Sequence, residues 1–189
     1  MKNLKNYRER LLKLIKERSY RQGKFVLSSG LESNHYVNCK PVILSGEGLS
    51  LVSHLLLELV DKESVAVAGL TLGADPLVSG VAMASHSVER PKTLDALIVR
   101  KKPKGHGTEA WIEGPTLKRG SKVTILEDVI TTGGSSVKAA LKIIEAGYIV
   151  DTIISIIDRQ EGGDRAIMDA GFKSLSLFKL EDLTDAKDE

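Results

Sequence analysis

Lys122-Val-Thr-Ile-Leu-Glu-Asp-Val-Ile-Thr-Thr-Gly-Gly-Ser-Ser136 is the stretch whose reading decides the fold. Val123 to Leu126 is a run of β-branched and apolar residues, too short for a helix, and it predicts a buried parallel strand. Two carboxylates, Glu127 and Asp128, stand where that strand should end. Thr131, Thr132, Gly133, Gly134, Ser135 and Ser136 supply small hydroxyls and backbone freedom. Val137, Ala140, Leu141 and Ile144 then recur at helical spacing, with Gly147 as the stop. Strand, acid pair, glycine turn and helix start suit a phosphorylated sugar.

The residue order has a chemical reason. Free N–H groups at a helix start, with the helix dipole behind them, attract anions. Paired glycines let the backbone curl closely around a phosphate. Carboxylates one turn earlier would repel that phosphate, so they face sugar hydroxyls or a hard divalent cation. Neither the lysine of a Walker A loop nor a Gly-x-Gly-x-x-Gly fingerprint is present. The bland alternative is an ordinary strand-to-helix turn with no ligand.

The chain of 189 residues is long enough for one sizeable core. With 42% hydrophobic and 28% charged residues and a net charge of +2, its composition is that of a soluble globular protein. No apolar run approaches the ~20 residues of a membrane span. A lone cysteine, Cys39, excludes an internal disulfide framework and fits a reducing compartment, so a cytoplasmic location is expected.

Working outward, an amphipathic helix is expected over 6–18. A hairpin around Ser28-Ser-Gly30 follows, either a lid over a site or a packing element. A strongly apolar helix over 47–61 precedes an alternation of strands (65–68, 94–100, 123–127, 149–157, 174–178) with helices (76–87, 135–146, 164–170). Five such strands predict an α/β fold, a five-stranded parallel sheet flanked by helices. Ligands then bind beyond the strands' carboxyl ends.

Three turns at those ends carry chemistry. Gly69-Leu-Thr-Leu-Gly-Ala-Asp-Pro76 suits a second phosphate-approaching turn, with Asp75 as helix N-cap, ligand, or both. Arg100-Lys-Lys-Pro-Lys-Gly-His106 is densely cationic: either a flap closing over a pyrophosphate leaving group or a solvated or nucleic-acid-binding loop. With aromatics at 4% and Trp111 alone, base-stacking platforms are not expected. Arg159 either forks onto a planar carboxylate or pairs with Asp158 or Glu161.

The Val123–Ser135 motif resembles the phosphoribosyl-diphosphate (PRPP) motif of type I phosphoribosyltransferases. Together with Phe25-Val-Leu-Ser-Ser-Gly30, Tyr36, Lys40, the Gly69 turn, the basic flap and Asp158-Arg159, the chain resembles the orotate phosphoribosyltransferases along nearly its whole length. It departs from the pattern at Ser28, where many members carry lysine, and at Leu72-Gly73, where many carry Tyr-Lys.

The resemblance implies one phosphoribosyltransferase domain over 1–189, with a small N-terminal hood (mostly 1–45) and a core (62–180). It implies transfer from PRPP to orotate with Mg²⁺ assisting, in a homodimer with shared active sites that binds no nucleic acid or membrane. PRPP would be held by Arg100, Lys101, Lys104, His106, Glu127, Asp128, Val129, Ile130, Thr131, Thr132, Gly133, Gly134 and Ser135, and orotate by Thr131 and Arg159. Lys104, His106 and Asp128 would be the catalytic residues, and no direct metal ligand is assigned. Within the superfamily, a purine-specific transferase and a PRPP-sensing regulator are the alternatives. At this length no fused decarboxylase is expected.

Overall fold

The structure, a computed structural model, describes residues 4–26, 32–88, 92–103 and 111–184. Helix α1 (Leu4–Arg18) leads into β1 (Tyr20–Val26) and β2 (Glu32–Val37), which pair antiparallel as a two-stranded sheet of their own. The short α2 (Lys40–Ile43) and the apolar α3 (Gly46–Leu59) follow. The alternating part comprises β3 (Ala66–Leu70), α4 (Asp75–His86), β4 (Asp95–Val99), β5 (Ile112–Glu113), β6 (Val123–Ile130), α5 (Gly134–Glu145), β7 (Thr152–Asp158), α6 (Gly163–Asp169) and β8 (Lys173–Lys179).

The central sheet has the order β5-β4-β3-β6-β7-β8. All five expected parallel strands are present, and β5 adds a short antiparallel edge on β4. At two residues β5 is too brief to show a hydrophobic period.

Alternation along the strands splits the core between two faces. Leu126 and Ile154 point to the face covered by α1, α3 and α4, among Leu11, Ile15, Leu56 and Leu77. Ile125 and Ile153 point to the opposite face, among Ala140 and Ile143 of α5 and Ile167 of α6. Arg8 ties α1 down onto β8: its Nη1 donates to the Leu177 carbonyl and its guanidinium lies 4.5 Å from the Phe178 ring centre.

Two boundaries differ from expectation in ways that bear on function. Strand β6 continues through the acid pair to Ile130, because Glu127, Val129 and Ile130 keep their pairing with Ser155, Ile157 and Asp158 of β7. The carboxylates therefore rise from the end of a strand that is paired on that side, not from a free loop. Helix α4 begins at Asp75 with Ala74 as its cap residue, so Asp75 is not the N-cap. Its Oδ2 instead accepts from the Thr71 hydroxyl at 2.7 Å, bracing the turn before the helix.

Candidate active site

A cavity of about 470 Å³ opens at the carboxyl ends of β6 and β7. Its walls are residues 127–136 and Arg159, with Val26, Tyr36, Val37 and Asn38 of the hood and Lys40 of α2 closing the other side.

The turn from β6 into α5 depends on two glycines. Gly133 has φ +77°, and a Cβ there would stand 2.7 Å from the Gly163 carbonyl oxygen. A Cβ on Gly163 would in turn meet the Thr131 carbonyl at 2.5 Å. Only bare backbone on both sides lets the turn close against the start of α6. The first intrahelical bond of α5 runs from the Val137 amide to the Gly133 carbonyl at 3.0 Å. The amides of Gly134, Ser135 and Ser136 thus have no acceptor within the helix, and they sit on the cavity wall with the positive end of the helix dipole.

Opposite this cradle lies the acid pair. Glu127 is buried, and it accepts from the Ser136 hydroxyl at 3.0 Å and from the Asp128 amide at 3.2 Å. Burial, reinforced by the neighbouring Asp128 charge, pushes the Glu127 carboxyl up to about 8. Asp128 Oδ1 accepts from the Val129 amide at 2.9 Å, and Lys40 Nζ lies 3.9 Å from Oδ2.

The second glycine turn packs directly on this pair. A Cβ on Gly73 would come 2.8 Å from Asp128 Oδ1, and one on Gly69 would come 2.6 Å from the Leu126 carbonyl. Cys39 is fully buried nearby, and burial pushes its thiol well up, which leaves it a packing residue.

Arg159 is 5% exposed and joins the hood to the core. Its Nη2 donates to Ser33 Oγ at 3.1 Å and to the His35 carbonyl at 3.1 Å, and it pairs with Glu161 at 2.7 Å. Of the two ion pairs open to Arg159 from sequence, Glu161 is the one formed. Asp158 instead accepts from the Gln160 amide at 2.8 Å.

Of the candidate residues, the structure gathers Glu127, Asp128, Val129, Ile130, Thr131, Thr132, Gly133, Gly134, Ser135 and Arg159 around one cavity. Arg100 and Lys101 are not on its wall: Arg100 is turned to Glu113 at 3.0 Å across the β4–β5 junction. Lys104 and His106 lie outside the described residues. Sequence reasoning missed Asn38 as a wall residue and Ser136 as the donor to Glu127. The second had a readable signal, since a first-turn helix residue after a tight turn faces back along the preceding strand.

A scan against models of protein families finds no match. The chain is 52% identical to the orotate phosphoribosyltransferase of Thermosynechococcus vestitus over 96% of its own length and 95% of that protein's. It superposes on Mycobacterium tuberculosis orotate phosphoribosyltransferase, solved with Fe(III) dicitrate, with a TM-score of 0.80 at 34% identity, covering 95% of this chain and 99% of that one. The same Mycobacterium tuberculosis protein in complex with PRPP gives a TM-score of 0.75 at 31% identity, covering 94% and 98%. With its sheet order, its glycine-lined cavity and this similarity along nearly its whole length, the chain belongs to the orotate phosphoribosyltransferase family.

Proposed function

We propose that the chain transfers the 5-phosphoribosyl group of PRPP to N1 of orotate, releasing orotidine 5′-phosphate and pyrophosphate. The observation that carries this reading is the convergence on one cavity of the α5 amides, the acid pair and the buried guanidinium of Arg159. An anion cradle, a polyol-binding pair and a planar cation match the 5′-phosphate, the ribose hydroxyls and a pyrimidine carboxylate in turn. The PRPP complex of the Mycobacterium tuberculosis relative supports the choice of donor.

Burial and the neighbouring Asp128 charge oppose ionisation of Glu127. That weakens the negative charge the pocket floor presents to an incoming polyanion, and Lys40 offsets part of the Asp128 charge. As the bond from C1 to pyrophosphate breaks, its electron pair leaves with the pyrophosphate and positive charge grows on the ribose ring. Asp128 lies where that charge is stabilised, and N1 of orotate closes the new bond as its N–H proton passes to the departing pyrophosphate. Cations meet the departing pyrophosphate; we assign this to Arg100, Lys101, Lys104 and His106, a single such donor being worth about 3 kcal/mol.

Among the described residues no three His, Cys, Asp or Glu side chains gather to hold a metal ion. Mg²⁺ needs only one or two carboxylates when substrate phosphates supply the rest, and Asp128 fits that part. With Mg²⁺ on the diphosphate, part of the leaving group's charge is neutralised.

In this reading residues 1–189 act as one phosphoribosyltransferase domain. The protein works as a cytoplasmic homodimer, the flap of one subunit reaching the partner's site. Among the described residues no helix is long and apolar enough to cross a membrane. The test is stoichiometric: with PRPP and Mg²⁺, each orotate consumed yields one orotidine 5′-phosphate and one pyrophosphate. Pyrophosphate release independent of orotate would contradict the reading.

A further inference from the structure

The environment of Arg159 holds more than a substrate contact requires. The guanidinium carries five donors in a rigid fork. Nη2 donates to Ser33 Oγ and to the His35 carbonyl on strand β2 of the hood, each at 3.1 Å, and forms an ion pair with Glu161 at 2.7 Å. Nε is buried with no hydrogen-bond partner among the described residues, an arrangement that costs free energy unless a ligand completes it. Arg159 lines the cavity, whereas Ser33 and Glu161 do not.

The segment bearing Glu161 is itself braced. Gln160 adopts φ 57°, its amide donates to Asp158 Oδ1 at 2.8 Å, and its side-chain oxygen accepts from the Glu181 amide at 3.1 Å. Glu161 thus comes from a strutted turn three residues after Asp158 and reaches the guanidinium from the core side, while Ser33 and His35 reach it from the hood.

We propose that Glu161 and Ser33 are positioning residues for the acceptor half of the reaction. Clamped through Nη2 from both sides, the guanidinium keeps its remaining N–H edge available for the planar heterocyclic carboxylate. The same clamp makes hood placement part of acceptor recognition, since one side chain holds both. The inference rests on the proposed function and adds the two residues that set the acceptor-binding group.

A competing electrostatic role has the opposite sign. If Glu161 only neutralised Arg159, its removal would strengthen attraction for an anionic acceptor. Under the positioning role its removal weakens acceptor binding and spares the donor, because the PRPP contacts assigned to residues 127–135 and to the basic flap do not include Arg159.

The experiment compares steady-state kinetics of the wild type, Glu161→Ala, Glu161→Gln and Ser33→Ala with orotate and PRPP varied separately. Glu161→Ala should raise KM for orotate about ten-fold, as expected when the acceptor-binding guanidinium is no longer held in place, and leave KM for PRPP within about two-fold. Glu161→Gln keeps an acceptor oxygen at similar reach and should recover most of the loss. Ser33→Ala, which leaves the Glu161 pair intact, should shift orotate in the same direction by less. The proposal is overturned if both Glu161 variants leave or lower KM for orotate, or if donor and acceptor KM rise together. A wild type that turns over no orotate overturns the proposed function itself, and this inference with it.

Discussion

Ser136 donates its hydroxyl to Glu127 at 3.0 Å, from the first turn of α5 back onto the strand that feeds it. That bond favours the ionised carboxylate, yet burial and the Asp128 charge outweigh it and hold Glu127 up at about 8. The native state therefore keeps a proton that the unfolded chain releases near 4.5. Between those values the unfolded state binds fewer protons, so stability falls as pH rises through the window. Glu127→Gln removes the titration. Relative to its position near pH 5, the variant should gain about 4 kcal/mol on the wild type above pH 8. Urea unfolding at both pH values checks this, and an unchanged pH slope in the variant would count against a protonated Glu127.

Gly133 and Gly120 offer a paired test of the turn. Both have positive φ, but a Cβ at residue 120 meets nothing within 4 Å, whereas one at residue 133 strikes the Gly163 carbonyl at 2.7 Å. Gly120→Ala should cost about 1 kcal/mol from backbone conformation alone, with kinetics unchanged. Gly133→Ala should cost more than that and raise KM for PRPP at least about ten-fold, since the amide cradle must shift. Equal effects of the two variants would show that the close packing of the turn on α6 is immaterial.

Much of this architecture was legible in the sequence, and the exceptions share a cause. Apolar, β-branched runs mark the central strands β3, β6 and β7, which are buried almost throughout, whereas the edge strand β8 shows instead an alternation of serine with leucine and phenylalanine. Charges read as a strand stop, so the sequence predicts that β6 ends at Glu127. What carries the strand on to Ile130 is its pairing with β7, a contact no local pattern records. Arg159 was visible as a candidate, but its clamp joins residues 126 positions apart and could not be seen. Residue type leaves Asp75 open as N-cap, ligand or both; the N-cap role falls to Ala74, and the Asp75 carboxylate accepts from the Thr71 hydroxyl.

Lys122 lies just before β6, at the end of the sheet away from the cavity, and bonds Asp61 at 2.7 Å and Asp151 at 2.8 Å. Lys122→Met should cost about 1 kcal/mol of stability, as for a partly exposed charge network. It should leave kcat and both KM values unchanged. A kinetic defect would mean that this end of the sheet communicates with the site.

Flap chemistry separates ground-state from transition-state binding. Lys104→Ala should lower kcat about 10² to 10³-fold while PRPP binding weakens far less, because the lysine meets charge that develops only as pyrophosphate leaves. Equal losses in both would make Lys104 a binding residue only. Mixing a Lys101→Ala subunit with an Asp128→Asn subunit should restore activity in mixed dimers, one site receiving both intact halves. No recovery with mixed dimers confirmed would argue against a shared site.

Orotate as the acceptor is tested with a panel of orotate, adenine, hypoxanthine and xanthine, each supplied with PRPP and Mg²⁺ and followed by loss of the free base. Orotate should be consumed rapidly and the purines not at all. Turnover of a purine with orotate left untouched would contradict that assignment.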